Sequence, residues 1–494
     1  MQKNSMASRG LFNLIFFLAG SAVRCQDPVL ATLYLDPQGR YQVELGSLNK
    51  TAPATLATAN YTNRINQTGW AFLDLATNPE MPDKLQAFGA GYIEGYLTSE
   101  LLYMHYENTV VGRCEGKEAV CAKVDEWLDR NHQWVRTKIK KDGKRSRYWH
   151  QVSLFYDQLA GMAEGLAAAQ KAAGGNGGEV TLADIFTMNA FGDMEDLEPA
   201  LTGEKVPRIL TGGAAGHCSA LIRLLPGNAD LLVAHDTWNS YQSMLRILKR
   251  YSLPFRLSLK STQRVPGHTM AFSSYPGLIY SGDDFTLISS GLVTTETTIG
   301  NSNAELWSQV VPGTVLEGIR SVVANRLATT GKEWTTFFTD NNSGTYNNQW
   351  MVVDYNQFRA GWGQQGPDLL WVLEQLPGYV RAEDLTAVLV ERGFWPSYNS
   401  PYFPDVYNRS GNRQLWEKYG DWFSYDRTPR AVIFEREAGS VDGPERMVRL
   451  MRYNNYRADP AAACNCTPPY SAENAISARC DLNPRWEIDW KISF

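Results

Sequence analysis

Cys218 is the residue with the most chemistry in prospect. It opens on an apolar run, Gly216-His217-Cys218-Ser219-Ala220-Leu221-Ile222, far from every other cysteine. A lone thiol in such a setting is most often a small buried hydrophobe. It becomes a nucleophile when a neighbouring group takes its proton, and an α-amine with a pKa near roughly 7.7 is such a group. A cut between His217 and Cys218 would place that amine on the same residue. The thiolate would attack a carbonyl, fixed donors would hold the oxyanion, and water would resolve the thioester. The preceding stretch, 201–217, suits a cut: Gly212-Gly213-Ala214-Ala215-Gly216 has little capacity to pack and reads as an exposed linker.

Competing chemistries lack their signatures. The sequence has no His-Glu-x-x-His, Cys-x-x-Cys, Gly-x-Ser-x-Gly or Walker loop. Gly89-x-Gly91-x-x-x-Gly95 is one residue too long for a dinucleotide fingerprint and falls in a helical pattern, where close helix packing explains it. Thiol, amine and amide groups suffice for the chemistry above, so no metal ion and no organic cofactor is expected.

The elements that must position Cys218 follow from periodicity. Apolar spacing predicts helices over 87–106, 122–140 and 148–173, a break at Gly174-Gly175-Asn176-Gly177-Gly178, and a further helix capped by Thr181 and Asp184 that ends near Pro199. Beyond the linker, 219–225 and 231–238 predict a hairpin around Pro226-Gly227-Asn228. Asn239 predicts the cap of a helix with Tyr241, Met244, Leu245 and Leu248 on one face. Strands are expected at 269–274, 285–289, 292–299, 349–355 and 368–375, with a helix starting at a Thr314/Glu317 capping box and stopping at Gly331. The pattern is α+β.

Composition sets the compartment. Lys3 and Arg9 precede an apolar run, 11–19, and the small residues Gly20, Ser21 and Ala22, which together read as a signal peptide over 1–25. The run is too short for a transmembrane span, which needs roughly 20 apolar residues. Asn49, Asn60, Asn66, Asn341, Asn408 and Asn465 each start a glycosylation triplet. A formal net charge of −5 gives no electrostatic reason to expect nucleic acid. Seven cysteines in 494 residues do not make a disulfide scaffold; Cys114 and Cys121 are close enough to pair, and Cys464 and Cys466 crowd the C-terminal end with Cys480.

Long ordered runs then carry a resemblance. The stretch 216–227, followed by His235-Asp236-Thr237-Trp238-Asn239-Ser240-Tyr241, Ser281-Gly282-Asp283-Asp284-Phe285, Gly344-Thr345-Tyr346-Asn347-Asn348-Gln349-Trp350 and Tyr419-Gly420-Asp421-Trp422-Phe423-Ser424-Tyr425, resembles the phospholipase B-like family from about Leu33 to Pro484. The resemblance implies an N-terminal-nucleophile hydrolase αββα sandwich, two stacked β-sheets between helical layers, with a mainly helical N-terminal segment. It implies cleavage into an N-terminal fragment, 26–217, and a catalytic fragment, 218–494, in the lysosome lumen or outside the cell. The substrate implied is a phospholipid acyl ester. An amidase on N-acyl or peptide-like substrates and a non-catalytic binding glycoprotein are the alternatives, and the oligomeric state stays open. Cys218 matches the nucleophile, His235 a group that orients or polarises, Asp236 a carboxylate used by related amidases, and Trp238 a wall of the acyl pocket. Asn347 or Asn348 resembles the oxyanion donor, and Thr297 a residue of the pocket wall. The family pattern continues well past Pro484, so a shortened catalytic fragment is expected here.

Overall fold

The computed structural model describes residues 28–48, 54–175, 180–203, 218–463 and 469–478. The signal-peptide stretch, the linker with His217, Asn49, Asn465 and the Cys464/Cys466 pair lie outside them. The fold is mixed α+β. An eleven-stranded sheet is built from β1 (Val29–Leu35), β2 (Tyr41–Leu45), β3 (Thr55–Arg64), β4 (Trp70–Thr77), β7 (Ile247–Ser252), β8 (Thr269–Ser274), β9 (Phe285–Ile288), β10 (Leu292–Thr298), β11 (Asn348–Asp354), β12 (Leu370–Leu376) and β13 (Tyr379–Asp384). A three-stranded sheet holds β5 (Cys218–Leu224), β6 (Leu231–Thr237) and β14 (Phe394–Ser397), with β5 in the middle. In the large sheet the order is β13-β12-β11-β10-β9-β8-β7-β4-β3-β1-β2, and only β4 and β7 run parallel.

Strand alternation decides which face meets what. Ala220, Ile222 and Leu224 of β5 pack with Val293, Met351, Val353 and Val372, so the small sheet lies on one face of the large one. Leu221 and Phe394 point the other way, onto Ile433, Phe434, Met447 and Leu450 of the helices Pro429–Glu437 and Pro444–Met451. Trp350, Val352 and Leu373 face a second helical layer through Phe155, Met162, Val323 and Trp334.

That layer is drawn tight by glycine. A Cβ on Gly91 would lie 1.8 Å from the Gln158 carbonyl oxygen, and one on Gly161 1.9 Å from that of Phe88. The helices Asp83–Leu97 and Arg147–Ala172 therefore touch backbone to backbone, as the glycine spacing predicts. Thr181 and Asp184 form their capping box, and Cys114 is bonded to Cys121. Asn60, Asn66 and Asn408 are exposed, while Asn341 is half-buried.

Three expectations fail. No helix follows Asn239: a single turn at Tyr241–Ser243 leads straight into β7, leaving Met244 and Leu248 exposed. Thr314 caps no helix, because its hydroxyl donates to Val311; the helix Glu317–Leu327 instead has its first N–H accepted by Asp193. Gly331 starts the next helix, Gly331–Thr339, rather than stopping one. The N-terminal third also holds four strands, β1 to β4, that periodicity missed.

Candidate active site

β5 starts at Cys218, whose side chain points between the two sheets and is 2% exposed. Among the described residues it is the one cysteine outside a disulfide. Both of its backbone polar groups are held by side chains. The amide donates to Asn399 Oδ1 at 3.0 Å, and the carbonyl accepts from Arg430 Nη1 at 2.5 Å. The thiol accepts from the Trp238 backbone N–H. Burial, then the negative field of Asp284, pushes the thiol far above its ordinary range, so it is protonated in the uncut chain.

Asn399 sits in the left-handed region at φ 64°, a conformation asparagine tolerates better than most residues. It is pinned there from β10: its N–H donates to Thr297 Oγ1 at 3.3 Å and its Nδ2 to the Thr298 carbonyl at 2.6 Å. Thr297 also meets Ser397 Oγ at 2.7 Å, which donates to Gln349, which donates in turn to Glu374. Glu374 accepts two further backbone N–H groups and is still pushed up to about 7 by burial. This buried polar chain fixes the loop that carries Asn399. Sequence reading singled out Thr297 but missed Asn399 and Arg430, since a loop asparagine and a helix arginine carry no spacing signal.

Arg430 lies over the Trp238 ring at 4.6 Å, and burial draws its guanidinium down to about 10, so it keeps its charge. Trp238 and Arg430 wall a small open cleft with Asn399, Ser424, Trp422 and Glu473. Two of its wall residues, Asn399 and Arg430, hold the backbone of Cys218, while the thiol itself does not line it.

The other expected residues are placed unevenly. Cys218 pairs with Thr237, and His235 lies one strand repeat along on the same face. Its Nε2 donates to the Glu296 carbonyl at 2.8 Å, and Nδ1 lies 3.2 Å from the Thr237 hydroxyl. Burial lowers the ring to about 4, which keeps it neutral and makes it a clamp between β6 and β10. Asp236 points to the opposite face, accepts from Trp238 Nε1 at 3.3 Å, and is pushed up to about 6 by burial. Asn347 Nδ2 is committed to Asp196 and Gly344. Asn348 shares its strand face with Trp350 and Val352, on the helix side of the large sheet, away from the thiol. Behind the site, Asp284, Glu296 and Glu317 are buried together and each is raised by burial; Asp284 accepts from the Tyr346 hydroxyl at 2.6 Å.

Fold and site thus define an α+β protein with a buried cysteine at a strand start, its backbone held by two residues that also wall a polar and aromatic cleft. The model of the Phospholipase B family matches residues 57–492. The chain is 49% identical to phospholipase B-like 2 of Mus musculus over 438 residues, 87% of this chain and 73% of that protein. It is 43% identical to phospholipase B-like 1 of Caenorhabditis elegans, covering 87% and 74%, and 35% identical to phospholipase B-like protein A of Dictyostelium discoideum, covering 91% and 78%. The chain belongs to the phospholipase B family.

Proposed function

We propose that the protein is an acyl hydrolase of lipids in the lumen of the secretory pathway or lysosome, activated by scission between His217 and Cys218 into fragments 26–217 and 218–494. One observation carries this reading: the Cys218 nitrogen already rests on Asn399 Oδ1. After scission that nitrogen is an amine or ammonium, and the same oxygen accepts from it. The new positive charge stands next to a thiol that burial keeps neutral, and it draws the thiol toward thiolate. The layering of helix, sheet, sheet and helix supports the N-terminal-nucleophile architecture.

In the reaction the Cys218 Sγ–H proton passes to the α-amine and the thiolate bonds to the acyl carbon. The tetrahedral oxyanion collapses, the carbon–oxygen bond to the leaving alkoxide breaks, and the ammonium protonates that alkoxide. Water then attacks the thioester with the amine as base, releasing the fatty acid and restoring the thiol. The Trp238 N–H and Arg430 hold the residue in place through this cycle. Among the described residues no helix is long and apolar enough to cross a membrane.

Intact mass and N-terminal sequencing of protein held at acidic pH test the reading. A fragment beginning at Cys218, with hydrolysis of a fluorogenic lipid ester that Cys218→Ala abolishes, is the expected result. Full hydrolysis by the uncut chain, or by Cys218→Ala, overturns it. An amide-linked lipid analogue in parallel separates esterase from amidase.

A further inference from the structure

The cleft walled by Trp238 and Arg430 carries two opposite charges that do not pair. Arg430 comes from the helix Pro429–Glu437 and Glu473, half-buried, from the short turn Ala472–Asn474. Each feels the other's field: Glu473 favours the charged form of Arg430, and Arg430 favours that of Glu473. Yet among the described residues the two form no ion pair, and the Glu473 carboxylate accepts no hydrogen bond. Among the same residues Arg430 spends only Nη1, on the Cys218 carbonyl and Ser219 Oγ. A carboxylate and a guanidinium that line one opening without touching leave room for a ligand with a charge of each sign.

The same lining holds the rings of Trp238 and Trp422. Trp238 already carries a cation, with the Arg430 guanidinium 4.6 Å from its ring centre. Rings beside a carboxylate suit an ammonium group, because the ring face and the carboxylate both attract positive charge. A polar group of the opposite use stands in the same wall: Ser400 Oγ is buried with no partner among the described residues. Its hydroxyl can donate to an anionic oxygen.

Ligand classes separate on this arrangement. A purely anionic group would meet Glu473, and a purely cationic one would meet Arg430. A hydrocarbon chain would take water from both charges and return nothing. A group that carries an anion and an ammonium a few bonds apart meets each charge with its opposite. The zwitterionic head groups of phospholipids, phosphoethanolamine and phosphocholine, have that form.

We propose that this cleft binds the zwitterionic head group of a phospholipid, with Arg430 and Ser400 serving the phosphate and Glu473 with Trp422 serving the ammonium. That the ligand is a lipid rests on the hydrolase reading above; that the ligand is a zwitterion rests on the two unpaired charges. Asn399 and Arg430 hold the Cys218 backbone and also wall the cleft. A lipid held here by its head group is therefore anchored on the residues that position Cys218.

Deacylated head groups test this without turnover, since they offer the thiol no acyl ester. The full chain is titrated calorimetrically with glycerophosphoethanolamine, glycerophosphocholine and the anionic glycerophosphoglycerol. The two zwitterions are expected to bind at least about tenfold tighter than the third. Glu473→Gln, which keeps the shape and loses the charge, is expected to remove that preference. Trp422→Leu is expected to weaken glycerophosphocholine more than glycerophosphoethanolamine, because a trimethylammonium relies on the ring and a primary ammonium on the carboxylate. Melting curves check that both variants are folded. Absence of binding, equal affinity for the three compounds, or a Glu473→Gln chain that keeps the preference overturns the proposal. A zwitterion preference in a chain that never yields a Cys218 fragment keeps the site and removes the scission reading, whereas lipid ester hydrolysis with no such preference does the reverse.

Discussion

At the residue scale the site works by gripping a backbone. The amide and carbonyl of Cys218 are held by Asn399 and Arg430, and the sulfur by a backbone N–H. Asn399 is the sharper test because its acceptor faces the atom that the proposed cut would turn into an amine. Asn399→Ala removes that acceptor and puts alanine, which tolerates the left-handed region less well than asparagine, at φ 64°, so formation of the Cys218 fragment should slow by about tenfold, the order of leaving one buried amide unpaired. Asn399→Asp keeps an acceptor and should retain cleavage, read by the same mass measurement. Thiol state gives a second expectation. Iodoacetamide should leave Cys218 unlabelled in the uncut chain, where burial protonates it, and label it after scission. Cys218, Thr297 and Trp238 were legible in the sequence because a Gly-rich linker, a Thr run and family runs flank them. Asn399 and Arg430 were not, since 181 residues separate the Asn399 carbonyl oxygen from the amide it accepts, and only the folded chain joins them.

Elements position the site through contacts that leave no slack. Helices Asp83–Leu97 and Arg147–Ala172 meet at Gly91, Gly95, Gly161 and Gly165, where added methyls would lie 1.8 to 2.3 Å from opposing carbonyl oxygens. Backbone cannot yield as a side chain end does, so Gly161→Ala must push the helices apart. A loss of about 3 kcal/mol is expected, seen as a clear drop in the denaturant midpoint. Gly89→Ala, whose methyl would meet only side chains, Leu56 at 3.1 Å and Leu33 at 3.5 Å, should cost much less. Sequence pattern found this pair of helices, the capping box at Thr181 and the hairpin that starts at Cys218, because each has a local period or turn chemistry. The helix expected after Asn239 failed for a physical reason. Tyr241, Met244 and Leu248 share a helical face on paper, but Leu248 and Arg250 alternate with the buried Ile247, Lys249 and Tyr251, and the strand period wins once β4 and β8 supply partners.

For the whole molecule, carboxyls that burial raises make stability depend on pH. Burial pushes Asp157 and Asp236 up to about 6 and Glu374 up to about 7, and raises Asp193, Glu296 and Glu317 as well. Each is a carboxyl whose folded value exceeds its unfolded one. The native state therefore holds more protons than the unfolded chain above about pH 4.5, and stability falls as pH rises through the folded values. Two histidines act in the opposite sense: desolvation lowers His105 and His235 to about 4, so they cost stability as pH falls below about 6.5. Above that point they no longer contribute, leaving the carboxyls alone. The melting temperature of an uncut Cys218→Ala chain should therefore fall steadily from pH 6.5 to 8. Glu374→Gln, which keeps a hydrogen-bonding side chain at the same place but cannot ionise, should flatten that slope. A melting temperature that rises from pH 6.5 to 8, or a Glu374→Gln chain with the parent slope, would show that the buried carboxyls ionise without cost. The proposed lysosomal setting would then find no support in the core's carboxyls.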